Sequence, residues 1–308
     1  MSLNDFEQTN ALGRNTYFVL PDGESETYAP RDTPPKKVVL EPLALSRLPG
    51  AMRNMGWHTA AALMQRWFDS PAWEMPEDWK TTSMQPNALS LTAAQCDEAI
   101  VKMEWAMKFQ RCREAMKNVE SMLATPNALV LLEERLKDAG WKGESGFELG
   151  FYNMSAIQMD AICQLNALGF GGRWDTLDDM YGALGSATLK VGVVGKVFRT
   201  ENSSMANPNY YFRVEHLGFY IRDHYDFNGP QYLGSWSEDR VLTKNETLST
   251  FYPEGLIAVI QSRGPIATVW NGDFRAYRDK IRKGGDFIVY SDVSWKRHDL
   301  IIDLGEMT

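Results

Sequence analysis

Tyr210-Tyr-Phe-Arg-Val-Glu-His-Leu-Gly-Phe-Tyr-Ile-Arg-Asp-His-Tyr225 is the stretch on which the fold turns. Aromatic and β-branched residues dominate it, and these fit the half-buried, pleated surface of a strand. Just upstream, residues 188–200 are rich in valine and read as a second long strand. Shorter strand candidates follow at 231–237, 240–243, 256–261, 266–270, 287–293 and 300–304. One amphipathic helix interrupts them, with Phe274, Tyr277 and Ile281 on one face and Arg275, Arg278 and Arg282 on another. Residues 186–308 are therefore expected to be mainly β, a mostly antiparallel, curved sheet or half-barrel.

Upstream the period changes. Trp57, Ala60, Ala61, Met64, Trp67 and Phe68 recur at helical steps, and that helix should stop near Ser70-Pro71. Thr92 opens a further helical run, although 103–109 also reads as extended. Thr125-Pro126 begins a helix that Gly140 closes. Ser155 and Gln158 have capping-box spacing ahead of a helix that Gly169 is expected to stop, and a short helix covers 176–184. Residues 49–185 are thus mainly helical and the whole chain is α+β. Residues 1–48, rich in Pro, Asp, Glu, Thr and Asn, read as an extended arm that either links or docks on a partner.

Composition bounds the function. The 308 residues are 44% hydrophobic, enough for a sizeable core, and carry a formal net charge of -8. With 32 Lys and Arg against 40 acids, a broad nucleic-acid surface is not expected. Cys96, Cys112 and Cys163 are too dispersed for a disulfide scaffold or a cysteine-based zinc site and read as small core residues. Residues 1–19 lack the basic start and apolar run of a secretory leader, so the chain is expected to be made in the cytoplasm. No apolar run approaches the length a membrane-spanning helix needs. Gly192 to Lys196 lacks the spacing of a phosphate-cradling loop, and neither a zinc-protease nor a serine-hydrolase motif occurs.

The chemistry concentrates in Arg222-Asp-His-Tyr-Asp-Phe-Asn-Gly229, where ionisable groups end an apolar strand. Alternation puts Arg222, His224 and Asp226 on one side, Asp223 and Tyr225 on the other. Asn228-Gly229-Pro230 makes a turn. If the strand bends at Asp226, then Asp223, Tyr225 and Asp226 converge. Such a group suits hydrolysis of a phosphate ester: carboxylates orient water or hold a divalent cation, and Tyr, His or Arg donate to phosphate oxygens. The competing reading is a polar strand end that caps a hairpin. His216, on the side of Arg222 and His224, is a secondary candidate. Arg275, Arg278 and Arg282 with Lys283, and the run Ser294 to His298, suit a pyrophosphate or a membrane interface, or are solvated faces.

The segment Gly218 to Gly229, with Gln231 to Trp236 after it, resembles a bacterial family of unknown function often encoded beside type VI secretion components. Met64 to Ser70, Trp73 to Pro76 and Leu177 to Gly185 are similar to the same family. A shorter resemblance concerns chemistry: Asp223-x-Tyr225-Asp226 is similar to the Asp-x-Tyr-Asp signature of colicin M-like toxins. Those enzymes cleave lipid II between the undecaprenyl chain and the pyrophosphate with magnesium, using a helical part and a half-barrel. The resemblance implies that Asp223, Tyr225 and Asp226 are catalytic, and that family's His-Arg pair is replaced here by Tyr232 and Leu233.

The resulting expectation is a type VI antibacterial effector that hydrolyses a lipid-linked precursor at the membrane of a target periplasm. Asp223 and Asp226 would hold Mg2+ or activate water, Tyr225 and His224 would assist proton transfer, and Arg222, Asn228, Arg240, Arg275 and Arg278 would bind substrate. The rival expectation is a non-enzymatic adaptor or cargo-associated protein that docks on a secretion spike; an immunity protein is a third reading.

Overall fold

A computed structural model describes residues 16–18, 38–40, 44–80, 85–172, 175–199 and 209–306. In chain order the elements are β1 (Thr16–Phe18), β2 (Val38–Leu40), α1 (Leu48–Asn54), α2 (His58–Asp69), β3 (Cys96–Asp97), α3 (Met103–Ala106), α4 (Gln110–Glu120) and α5 (Pro126–Asp138). Next come β4 (Glu148–Leu149), α6 (Ala156–Ile162), β5 (Gln164–Phe170), α7 (Asp179–Leu184), β6 (Ala187–Arg199) and β7 (Asn209–Tyr225). The last are β8 (Tyr232–Trp236), α8 (Lys244–Ser249), α9 (Pro253–Arg263), β9 (Ala267–Trp270), α10 (Asn271–Ile281), β10 (Phe287–Tyr290) and β11 (Ser294–Glu306). The fold is α+β, with helices in the N-terminal half and a curled half-barrel sheet in the C-terminal part. Most of the expected N-terminal arm lies outside the described residues.

The chain divides into two compact units, neither of them contiguous. One takes in the chain up to Trp73 and Phe227–Gly285; the other consists of Glu74–Asp226 and Asp286–Thr308.

The second unit holds the half-barrel, in the order β3-β10-β7-β6-β4, with β11 also on β7 and β5 also on β6. β7 is its spine: antiparallel to β6 from Tyr210 to Arg222, to β11 over its first half and to β10 over its last residues. Leu189, Val191, Val193, Phe212, Leu217, Phe219 and Ile221 are completely buried, as valine-rich and aromatic strands with two covered faces should be. Gly192 lies opposite Gly218 in the ladder. A Cβ on either would come within 2.4 Å of Met159 on α6, so the two glycines form the groove that lets this helix sit close to the sheet. Ser155 caps α6 through the expected box with Gln158.

The first unit is organised around Trp67 of α2, which has no solvent exposure. Phe68, Phe227 and Phe274 meet its ring edge-on at centroid distances of 5.3, 5.0 and 5.2 Å. Phe227 and Phe274 stack face to face at 3.7 Å. β8 pairs with β9, and α10 packs through Phe274 as its periodicity predicts.

Four local expectations fail for identifiable reasons. Residues 256–261 lie in helix α9 instead of a strand, because Pro253 occupies a first-turn position and Gly264, at φ +76°, ends the helix. Residues 164–170 form β5, not the end of a helix, since β6 offers a partner ladder. The run after Thr92 begins as a turn leading into β3, where Asp97 accepts from the backbone N–H groups of Ala99 and Ile100 and competes with a helix. Residues 240–243 make only a bridge from Val241 to Trp236, because Thr243 is already the N-cap of α8.

Candidate functional site

The polar end of β7 is built by register. Thr188 pairs with Arg222 and Lys190 with Tyr220 on the β6 side, while Tyr290 pairs with Arg222 and Ile288 with His224 on the β10 side. Residues directly opposite in an antiparallel ladder share a face, so Lys190, Tyr220, Arg222, Tyr290 and His224 form one polar patch on the side covered by α6. Asp160 of α6 closes it. Its Oδ1 accepts from Lys190 Nζ at 2.6 Å and Tyr220 Oη at 2.8 Å, and its Oδ2 from Tyr290 Oη at 2.9 Å. Arg222 Nε lies 3.5 Å from the same Oδ2 and donates to Tyr290 Oη at 3.1 Å.

Burial sets the electrostatics. It would push the Asp160 carboxyl up, but Lys190, Arg222 and the Tyr220 hydroxyl overcome it and hold the group below the usual range. Burial also lowers Lys190, and raises the phenol of Tyr220 well above its ordinary value. His224 is held down at about 4 by burial and by the neighbouring Arg222 guanidinium, so its imidazole is neutral at pH 7. Its Nε2 is buried and has no hydrogen-bond partner among the described residues.

Asp223 and Tyr225 face the other way. Burial raises Asp223 well above the carboxylate range, opposed by a hydrogen bond from the His224 backbone N–H and reinforced by the charge of Asp226. Tyr225 is buried and stacks on Phe287 at 5.0 Å, and burial keeps its phenol protonated. Asp226 is different: it forms an ion pair with Lys80 at 3.3 Å, and Lys80 also binds Glu77 at 2.9 Å. β6 begins at Ala187, whereas β7 runs on to Tyr225, so the Asp223–Tyr225 segment is paired to β10 and lacks a β6 partner.

The remaining expected residues belong to the other unit. Asn228 offers its backbone carbonyl to Asn271 Nδ2 at 2.6 Å, next to the expected turn at Gly229, whose φ is +72°. Arg275 donates to the carbonyls of Phe227 and Gly229 at 2.6 and 3.0 Å. Arg278 donates to the carbonyl of Trp73, and Arg240 pairs with Glu246 at 2.5 Å. Burial would raise Glu246, yet hydrogen bonds from Thr243 and Arg263 and the charge of Arg240 bring it down to about 2. Each of these arginines therefore has a structural partner within its own unit.

Asp160, Lys190, Tyr290 and Lys80 did not stand out in the sequence. Lys190 sits in an otherwise apolar strand, which is the one signal available for it. Asp160 and Lys80 carry no such mark.

Asp226 pairs with Lys80, and among the described residues no group of three His, Cys, Asp or Glu side chains is placed to hold a metal ion. Among the same residues no helix is long and apolar enough to cross a membrane.

No curated protein and no solved structure matches the chain. Residues 43–304, by contrast, match DUF6402, a family of unknown function, and the protein belongs to that family.

Proposed function

We propose that this protein is a phosphoric ester hydrolase, and that its substrate is a polyprenyl-pyrophosphate peptidoglycan precursor of the lipid II type. One observation carries the reading: Asp223 and Asp226, three residues apart at the end of β7, sit in contrasting environments, burial raising the first towards its neutral form and Lys80 pairing with the second. Two carboxyl groups in unlike environments are what acid–base hydrolysis requires. Asp226 takes a proton from water as its oxygen attacks phosphorus. Asp223 gives its proton to the oxygen that leaves as the phosphorus–oxygen bond breaks. The Tyr225 phenol and the neutral His224 imidazole supply donors, and no step is routed through magnesium.

Delivery as a type VI antibacterial effector, acting at the target membrane, is the setting proposed with it. The test is expression in a susceptible bacterium with an added periplasmic signal, with and without added magnesium in the assay of extracts. Lysis and precursor loss are expected for the wild type and not for Asp226→Ala. Lysis by a folded Asp226→Ala protein removes this assignment.

A second reading is a non-enzymatic adaptor, favoured by Leu248, Phe251 and Tyr252, which are 60%, 76% and 69% exposed around the α8–α9 elbow. A harmless, folded and exported wild type would favour it. So would loss of a partner's delivery on Phe251→Ser.

A further inference from the structure

The patch under α6 is out of electrical balance. Lys190 and Arg222 are two buried cations, at 8% and 4% exposure, and among the described residues Asp160 is the one carboxylate bonded to them. Tyr220 and Tyr290 add neutral donors that also point at Asp160. Asp223, the next residue along, faces the opposite side of the strand and favours its neutral form. Asp226 is matched by Lys80. A buried excess of one positive charge costs several kcal/mol unless something compensates it.

Donors are in excess as well. Arg222 spends its Nε–H on Tyr290, and among the described residues its two Nη groups carry no hydrogen bond. His224, two residues on and roughly 7 Å further along the same face, holds a buried Nε2 without a partner. A guanidinium fork with its outer donors unspent beside an unpaired imidazole nitrogen is the arrangement that recognises a tetrahedral oxyanion in two-pronged fashion.

We infer that the α6-covered face of β7 is an oxyanion seat, in which the Arg222 fork and a His224 Nε2–H hold a phosphoryl group and Tyr290 and Asp160 fix the guanidinium in place. The seat goes beyond the hydrolase reading, since Asp223 lies on the other face of the strand, and its binding chemistry does not require turnover. Asp160 is a positioning residue: it lies on the Nε side of Arg222, at 3.5 Å, and holds Tyr290, which accepts from that Nε.

The test is thermal unfolding and calorimetric titration of the full chain with inorganic phosphate and with pyrophosphate, against chloride at matched ionic strength. Wild type is expected to bind saturably and to gain thermal stability as the anion is added. Arg222→Lys keeps the charge and loses the fork; His224→Leu keeps most of the volume and loses the nitrogen. Each is expected to weaken binding about tenfold or more. Wild type without saturable binding, or binding unchanged in a folded His224→Leu protein, overturns the seat whatever Arg222→Lys does. Phosphate binding that depends on His224 in a protein that hydrolyses nothing supports the seat and removes the hydrolase. Hydrolysis without any response to phosphate or pyrophosphate does the reverse.

Discussion

Lys190 Nζ and Asp160 Oδ1 meet at 2.6 Å, with both side chains almost entirely removed from water. The pair joins α6 to β6, and the two tyrosines and Arg222 converge on the same carboxylate. Removing different members should therefore have very unequal effects. Asp160→Asn leaves two buried cations facing each other and should cost about 3 kcal/mol or more in urea unfolding. Lys190→Met leaves Asp160 with Arg222 and two hydroxyl donors and should cost about 1–2 kcal/mol. Equal losses for the two variants would mean that the carboxylate is not the centre of the network.

Asp223 should be a liability to the fold. Its folded pKa is raised by burial above the value of 3.8 for a free side chain, so stability is lost as pH rises through that value towards the folded one. At pH 7 the penalty is present, and Asp223→Asn should raise the stability measured in urea unfolding while abolishing hydrolysis. A residue retained only to cap a strand end would give the opposite result, a loss of stability.

His224 titrates in the other sense. Its folded pKa of about 4 lies below the 6.5 of a free imidazole, so its contribution is complete above pH 6.5 and is lost as pH falls towards 4. Arg222, Lys80 and Lys190 oppose its protonation and Asp226 favours it. Urea unfolding between pH 7 and pH 4.5 should show a decline of roughly 2 kcal/mol that His224→Leu removes. A decline of the same size in the variant would place its origin in other groups.

Gly284 is the position in the first unit least tolerant of a side chain. Its φ is +102°, and a Cβ there would come within 2.3 Å of the Trp67 ring. Gly284→Ala meets backbone strain and a buried indole together, and should cost about 3 kcal/mol or more. Soluble expression with an unshifted melting temperature would show that the Trp67 cluster yields more easily than its packing implies.

Much of the architecture was legible in the sequence because it rests on period and punctuation. β6 and β7 follow from their valine and aromatic content, α5 from Thr125-Pro126 and Gly140, α6 from its capping box, and α10 from Phe274, although Ile281 of its expected apolar stripe is exposed and Arg278 of the opposite face is buried. β5 and α9 were misread because short apolar runs have no decisive period, and tertiary pairing or a single proline settles them. For the candidate site, alternation along β7 correctly separated Arg222 and His224 from Asp223 and Tyr225. It gave no hint of Asp160 or Lys80, since nothing local in the sequence tells which carboxylate a helix will lower onto a strand or which lysine a loop will bring to Asp226.

The discontinuity of the two units bears on how the chain acquires its shape during synthesis. β10 and β11, which flank one whole side of β7, are translated after the entire Phe227–Gly285 segment. Until they emerge, the long central strand has a bare flank, and Arg222 lacks the Tyr290 hydroxyl that fixes it. Nascent chains therefore carry an incomplete sheet, with the polar end of β7 not yet assembled, until β10 and β11 emerge. For a protein proposed to be harmful to bacteria, such a delay would keep the unfinished chain inert inside the cell that makes it.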